Sequence, residues 1–246
     1  MHGGKGVGGI NENSLVTLQS VASVQGAPTT GNLTTSLGYT TEDYDYLVAY
    51  VHSNNGYPGE DLQLTPGIDP MTTQYSQIQY QTPVHTEGFK KVTPSSNYTD
   101  LTVKNSSSEI LQMIVAGFRR TVWSGFLNSP SASFDSQSTA NGTIPSAVTG
   151  LSRTAGNHTL FVSVMCVYGD QWTSASYTPS GYTYLDGLEQ DAGGGTYMTM
   201  VANYRWIEAG GGNDDNGTES PTGYTAGGVG ATTEFIHLLH KHSETP

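Results

Sequence analysis

The amino-acid sequence predicts an all-β protein, an antiparallel β-sandwich of the jelly-roll or immunoglobulin-like type. Short runs in which apolar and polar residues alternate recur along the 246 residues, as expected for strands with one buried face. Turn-forming residues are frequent, with 31 Gly and 11 Pro, whereas no long amphipathic helical pattern is present. Only 12% of the residues are charged. Together these observations favour strands joined by turns over a helical bundle.

Six segments carry the strongest strand patterns. Residues 110–116 also fit a helix by periodicity, but their β-branched content and the polar residues before them favour a strand. In chain order, the predicted core strands are residues 15–21, 46–52, 110–116, 160–168, 197–207 and 232–239.

The chain also matches itself weakly when it is displaced by 113 residues. This displacement aligns residues 47–51 with residues 160–164, and it places Thr65-Pro66 on Thr178-Pro179. The same order of strands and turns in both parts predicts two related halves. Two architectures remain open, namely two small sandwiches in tandem or one large sandwich with a shared core.

The predicted boundaries follow from this repeat and from the composition of the first residues. The first residues are glycine-rich without a period, which is typical of a flexible arm. We expect an arm over residues 1–13, a first sandwich repeat over 14–125 and a second over 126–246, or alternatively one sandwich over 14–240.

The charge balance argues against two classes of partner. Nine Lys and Arg stand against 21 Asp and Glu, which gives a formal net charge of −12. A nucleic-acid binder needs clustered cations to neutralise phosphates, and an anionic membrane surface attracts the same clusters. The only adjacent cations are Lys90-Lys91 and Arg119-Arg120. We therefore expect neither nucleic acid nor a membrane as a partner.

The cysteine count and the length of the apolar segments bear on the compartment in which the chain is made. The single cysteine, Cys166, cannot form an intrachain disulfide, and its apolar neighbours predict a buried, inert thiol. No segment has the roughly 18–20 apolar residues of a membrane span. Residues 1–9 lack the apolar stretch of a secretory signal. These features predict a soluble chain made in the cytoplasm of its host.

An acidic loop offers oxygen ligands for a cation. Asp214, Asp215, Asn216 and Glu219 lie within ten residues, and calcium favours carboxylate and amide oxygens on a flexible loop. The spacing does not fit an EF-hand, because Gly212 would occupy the first ligand position. An inter-strand turn explains the same composition without any ion. Calcium at these four residues is the one cofactor that the sequence indicates.

Three histidines near the end of the sequence form a second candidate cluster. His237, His240 and His242 carry imidazoles of the kind that bind transition metals. On a strand, however, His237 faces away from its neighbour Ile236, and His242 lies beyond the predicted strand end. We therefore expect solvated histidines rather than a shared metal site.

No pattern in the sequence supports an enzyme. The nucleophile elbow G-x-S-x-G and the zinc-binding H-E-x-x-H are both missing from the sequence. The glycine-rich residues 4–9 match a dinucleotide fingerprint but lack the strand before and the helix after that its mechanism needs. Carboxylate pairs such as Glu42/Asp43 and Glu60/Asp61 lie in polar, turn-like stretches. We expect a non-enzymatic protein.

Aromatic residues in or beside predicted loops form the candidate binding surface. Rigid amphipathic rings bind proteins and sugars at low entropic cost, although tyrosines also cover the edges of sandwiches. The predicted surface comprises Tyr57, Trp172, Tyr177, Tyr182, Tyr184 and Tyr224. Six N-x-S/T sequences for N-glycosylation also occur, where composition alone gives roughly three. Their asparagines are Asn32, Asn97, Asn105, Asn141, Asn157 and Asn216.

The order of strands and turns resembles virion structural proteins of tailed viruses. An apolar strand leads to the Pro-containing turn 178–183, and the next strand contains the aromatic-basic pair Tyr204-Arg205. The glycine-rich stretch 225–231 then precedes the last strand. The likeness covers roughly residues 46–239 and is clearer in the second half. It implies a tail fibre, a turret or a capsid decoration.

This resemblance implies a homo-oligomeric protein of the virus particle, assembled in the host cytoplasm and released with the virion. Its partners would be other virion proteins, with residues 1–13 as an anchoring arm, and its outer surface would contact host surface glycans. The alternative hypothesis is a carbohydrate-binding, lectin-like adhesion module. A glycan-acting enzyme has the least support.

Overall fold

A computed structural model describes most of the chain. The described residues are 16–26, 31–42, 45–54, 62–65, 69–79, 84–93, 97–105, 110–120, 131–139, 142–144, 150–173 and 178–244. They form sixteen β-strands and no helix, which confirms the all-β prediction. Each of the six predicted core strands coincides with one of these strands, and residues 110–116 belong to a strand. The predicted arm over residues 1–13 lies outside the described residues.

Nine strands belong to the first half of the chain. In order they are β1 (Val16–Gly26), β2 (Gly31–Ser36), β3 (Asp45–Ser53), β4 (Leu62–Thr65), β5 (Asp69–Pro70), β6 (Thr72–Gln79), β7 (Val84–Thr93), β8 (Asp100–Asn105) and β9 (Leu111–Arg120). They form a five-stranded sheet of order β1-β9-β3-β7-β6 and a four-stranded sheet of order β2-β8-β4-β5. Every strand pair in both sheets is antiparallel.

Seven strands belong to the second half. In order they are β10 (Ser131–Thr139), β11 (Leu151–Arg153), β12 (His158–Gly169), β13 (Thr183–Gly193), β14 (Thr196–Ile207), β15 (Gly217–Glu219) and β16 (Glu234–Glu244). They form a five-stranded sheet of order β10-β16-β12-β14-β13 and a two-stranded sheet of β11 and β15, again with antiparallel pairs only.

The pairing of the first half is nested. The first strand pairs with the last, β1 with β9, and inside that pair lie β2 with β8, β3 with β7 and β4 with β5. Successive pairs alternate between the two sheets, which is how a long antiparallel ribbon folds over into a jelly roll. Of the two sandwich types predicted, the first half therefore has the jelly-roll type.

The second half repeats the outer part of this nesting. β10 pairs with β16, β11 with β15 and β12 with β14, and the pairs again alternate between a large and a small sheet. In both halves the fifth strand of the large sheet, β6 or β13, extends the edge beside its hairpin partner. The two five-stranded sheets therefore have equivalent strand orders.

The two five-stranded sheets pack against each other through one apolar cluster, which we call the inter-sheet core. Because side chains alternate along a strand, the even-numbered residues of β3, β9, β12 and β16 supply most of it, and β13 and β14 supply the rest. The buried members are Tyr46, Val48, Tyr50, Ile114, Ala116, Phe118, Leu160, Val162, Val164, Cys166, Leu185, Met200, Ala202, Ile236 and Leu238. Each fully buried aliphatic side chain of this kind contributes about 1.5–3 kcal/mol.

The opposite faces of the five-stranded sheets bury separate clusters. In the first half, the large and small sheets enclose what we call the first outer core, which includes Leu47, Ala49, Leu64, Leu101 and Val115. In the second half, two neighbouring clusters form what we call the second outer core. They comprise Met165, Val167, Trp172, Val201, Tyr224 and Phe235 in one, and Phe161, Tyr182, Ile207 and Leu239 in the other.

These faces show that the 113-residue displacement is not the structural correspondence between the halves. It aligns Leu47 with Leu160, yet Leu47 lies in the first outer core and Leu160 lies in the inter-sheet core. A shift of one position along a strand exchanges the two faces of the sheet. The displacement therefore aligns similar apolar residues whose side chains point in opposite directions. The topology repeats, but not in that register.

Candidate functional site

The residues of the predicted calcium loop are engaged with protein donors. The Asp214 carboxylate accepts hydrogen bonds from the backbone N–H groups of Gly156 and Gly210, and these bonds lower its pKa. The Asn216 side-chain oxygen accepts the N–H of Ala155 at 3.0 Å. These carboxylate and amide oxygens thus fasten the loop to the turn that precedes β12. By accepting backbone N–H groups, these oxygens order the loop without an ion.

The two remaining ligands of that prediction belong to an ion network. Glu219 is buried on β15, and both of its oxygens lie within 3.1 Å of Nη1 of Arg205 on β14. Nη1 of Arg153 on β11 lies 3.5 Å from Glu219, and its Nη2 lies 2.6 Å from Asp215. Burial and the neighbouring Glu219 carboxylate raise the pKa of Tyr182. The network joins the two-stranded sheet to the five-stranded sheet.

Each of the four predicted calcium ligands therefore has a protein partner. Within the described part of the chain, no group of three or more His, Cys, Asp or Glu residues could hold a metal ion. The arrangement uses negative charge to neutralise two arginines and to order a loop.

The predicted aromatic surface is largely an interior feature, which corrects the sequence interpretation. Trp172 is 0% exposed, its indole N–H donates to the Thr225 carbonyl at 2.7 Å, and it packs edge-on against Phe235. Tyr182 and Tyr224 are also buried in the second outer core. Trp172 and Tyr224 come a few residues after a strand and Tyr182 directly precedes β13, and all three pack against the sheet, so loop position did not mean exposure.

Only part of that set reaches solvent. Tyr184, near the start of the edge strand β13, is 41% exposed and is the one exposed large hydrophobic side chain among those the structure describes. Tyr57 and Tyr177 lie outside the described residues. Over the described residues, the predicted aromatic surface therefore retains one exposed ring, that of Tyr184.

The histidines near the chain end are buried, contrary to the expectation that they are solvated. β16 extends to Glu244, so it contains all three, with His237 on one face and His240 and His242 on the other. On the inter-sheet face, the hydroxyl of Tyr50 lies 2.9 Å from Nδ1 of His240, and the ring of His242 stacks on that of Tyr46 at 3.9 Å. These contacts add polar specificity to the packing of the two large sheets.

His237 belongs to a buried polar network in the second outer core. Its Nε2 lies 2.9 Å from the hydroxyl of Ser163, which lies 3.1 Å from the hydroxyl of Tyr224. The Asn203 side-chain nitrogen donates to the same Tyr224 oxygen at 3.0 Å. Burial lowers the pKa of His237 to about 3, so the imidazole is neutral at ordinary pH. Three adjacent strands, β12, β14 and β16, position this network.

The Ser163–His237 pair has the separation of a nucleophile and its general base. Ser163 is 0% exposed and His237 is 1% exposed, so in this structure a substrate has no contact with either group. A hydroxyl, a neutral imidazole and a phenol that bond to one another satisfy polar groups within an apolar cluster. The geometry thus supports a structural role for the pair.

A second ion cluster closes one end of the first five-stranded sheet. The guanidinium of Arg119 on β9 makes two hydrogen bonds to the buried Asp45 carboxylate, at 3.0 and 3.1 Å, and its Nη1 lies 3.0 Å from Glu42. The same guanidinium lies 5.6 Å from the centre of the Tyr39 ring. Burial and the Asp45 carboxylate raise the pKa of Tyr39, although Arg119 opposes them. In the sequence, Arg119 is visible only as one of two adjacent cations.

Comparisons with known proteins do not assign the chain to a family. No protein-family model, no curated protein and no solved structure matches it. The described residues also contain no helix that is long and apolar enough to cross a membrane. The single thiol, Cys166, is free and buried in the inter-sheet core, as predicted. The fold and the contacts of the polar groups are therefore the observations that bear on function.

Proposed function

We propose that this chain is a non-enzymatic structural component of a virus particle, exposed on the capsid or tail. The observation that carries the proposal is the nested strand pairing of the first half, repeated in three pairs by the second. Jelly rolls of this kind occur in viral capsid proteins and in lectins. The jelly roll links this chain to virion proteins by analogy at the level of the fold, and the resemblance of residues 46–239 to virion proteins of tailed viruses adds support.

The chemistry of the interior supports a role without catalysis. The hydroxyl, imidazole, carboxylate and guanidinium groups described above bond to one another and hold sheets or loops together. Buried polar groups that bond to one another help to fix a single arrangement of strands, which is the property that a building block needs. A catalytic site would leave at least one such group open to a substrate.

The edges of the sheets support self-association. β2 and β5 end the four-stranded sheet, and an edge strand offers backbone groups that symmetric association covers. The edge strand β13 is protected instead, since it has two irregularities of register and the Glu189 carbonyl accepts a hydrogen bond from the Gln25 side chain of β1. We therefore propose homo-oligomers that form through the edges of the four-stranded sheet, which leaves its outward face open.

The test is to locate the chain in purified particles. An antiserum raised against the purified chain is applied to virions from the source culture, separated by density and examined by immunoelectron microscopy and quantitative mass spectrometry. We expect regularly spaced labelling of intact particles and many copies per particle. Absence from purified particles, with the chain recovered only from the soluble lysate, contradicts the proposal.

The lectin alternative has one observation in its favour, the exposed Tyr184. It has less support than the virion role because Trp172, Tyr182 and Tyr224 are buried. A glycan array probed with the purified chain distinguishes the two. Strong binding by a monomer that Tyr184→Ala abolishes, together with absence from particles, favours the lectin.

A further inference from the structure

The N-glycosylation sequences separate into two groups once their side chains are placed on the fold. The side chains of Asn32, Asn97, Asn157 and Asn216 are described, whereas those of Asn105 and Asn141 lie outside the described residues. An acceptor needs both the asparagine amide and the Ser/Thr hydroxyl two residues later to be accessible. Three of the four described sequences meet this condition, and one does not.

Asn32 and Thr34 lie on the outward face of β2. Both are exposed, and Leu33 between them points inward against the first outer core. The Thr34 hydroxyl lies 2.9 Å from that of Thr102, across the pairing of β2 with β8. The asparagine amide has no hydrogen-bond partner among the described residues. Strand alternation thus presents the two required groups together on the outside of the four-stranded sheet.

Asn97 and Thr99 repeat this arrangement just before β8. Both are exposed, and Tyr98 between them is 4% exposed and belongs to the first outer core. The Thr99 hydroxyl donates to the Asp100 carboxylate at 3.0 Å, which is a surface contact. The buried tyrosine anchors the segment, so the acceptor groups on either side of it are held outward.

Asn216 and Thr218 lie at the two-stranded sheet. Both are exposed, and the Asn216 side-chain oxygen accepts the N–H of Ala155 at 3.0 Å. That bond fixes the carbonyl side of the amide and leaves the amide nitrogen, the atom that N-glycosylation modifies, outside the contact. The backbone of this sequence therefore orients the acceptor instead of hiding it.

Asn157 is the internal contrast. Its hydroxyl residue, Thr159, is on β12 and only 1% exposed, and the Thr159 hydroxyl lies 3.3 Å from that of Ser243 on β16. His158 between them is buried as well. In the folded chain this hydroxyl cannot take part in recognition by a transferase.

We propose that Asn32, Asn97 and Asn216 are N-glycan attachment sites and that the two smaller sheets form the glycan-bearing exterior of the molecule. In the transfer, the amide nitrogen forms a bond to the anomeric carbon of a lipid-phosphate-linked oligosaccharide. The bond from that carbon to the phosphate oxygen breaks, the lipid phosphate leaves, and the amide loses one proton. Glycans at these positions leave the inter-sheet core untouched, and the inference goes beyond the particle role and does not depend on it.

The test is glycopeptide mapping by mass spectrometry of the chain purified from its natural source. We expect hexose-containing mass additions at the three exposed asparagines and an unmodified Asn157. Thr34→Ala, Thr99→Ala and Thr218→Ala, expressed in the same source, should each remove one glycan from the intact mass. The matched variants Thr34→Ser, Thr99→Ser and Thr218→Ser keep the hydroxyl and should keep the glycan, which separates lost recognition from lost folding.

Two outcomes overturn the proposal. One is a chain from the natural source that carries no glycan at any of the three exposed asparagines. The other is equal occupancy of Asn157, because folding then does not select the acceptors. Neither outcome bears on whether the chain is found in particles, so the modification and the proposed function are tested separately.

Discussion

The shared inter-sheet core predicts that the two halves unfold together. Leu238 on β16 is 1% exposed and packs in this core with residues of both five-stranded sheets. Leu238→Ala removes three carbon atoms, each worth about 0.8 kcal/mol on transfer from water, and it leaves a cavity behind. The expected loss is about 2–5 kcal/mol, which lowers the melting temperature by roughly 4–20 °C for a chain of this size.

The assay is differential scanning calorimetry of the wild type and Leu238→Ala, with Leu101→Ala as the matched control. Leu101 is 0% exposed and lies in the first outer core, away from the second half. If the halves form one cooperative unit, the wild type shows a single transition and both variants move all of it. Two transitions, of which each variant moves a different one, would refute the reasoning and favour sandwiches over residues 14–125 and 126–246.

Four further predictions concern single features. Glu219→Gln leaves the charge of two partly buried arginines uncompensated, so the free energy of unfolding measured by urea titration should fall by about 3 kcal/mol. This value is at the lower end for buried ion pairs because the arginines keep some solvent contact. His237 has a pKa of about 3 in the folded chain, below its ordinary value of 6.5, so between these pH values the unfolded chain binds more protons than the folded chain. The free energy of unfolding should therefore fall as the pH drops through this range, and it should fall less in His237→Gln. Gly169→Ala should destabilise by about 1–3 kcal/mol because φ is 140° and the new Cβ would lie 2.7 Å from the Thr233 Cα, whereas Gly156→Ala, with φ of 85° and open space, should cost less in the same denaturation assay. EDTA should leave the melting temperature unchanged, since the oxygens of the loop 210–219 bond to protein donors; a drop of several degrees would support the calcium hypothesis.

The fold class could be predicted because apolar residues cluster wherever strands are buried on both faces. β3, β9, β12 and β16 lie in the middle of their sheets with a core on each side, so each contains a run of mostly apolar residues. The pattern misses β13 and β10 for the opposite reason. Each ends a sheet, and β13 carries Asp186, Glu189 and Asp191, which are typical of a protected edge rather than a core.

The burial and the partners of the candidate site residues could be predicted less well, because they depend on contacts between residues that are far apart in sequence. Trp172 lies three residues after the end of β12, and its burial depends on its contact with Phe235 on β16, far away in sequence. The histidine positions had a usable signal, since His240 and His242 continue the face of β16 that carries Ile236 and Leu238, and continuing the strand through His242 would have buried them. The ion pairs join residues as far apart as Asp45 and Arg119, and no local spacing indicates such a pair.

The separation of the strands has a consequence for biosynthesis. Each sheet is built from strands of one half only, so the first half can complete both of its sheets once β9 has left the ribosome, while the second is still being made. During that interval the face of its large sheet that later meets the second half is an open apolar surface. The speed with which the ribosome delivers residues 121–244 therefore sets how long a nascent chain is exposed to aggregation, and slowing translation there should lower the yield of soluble protein.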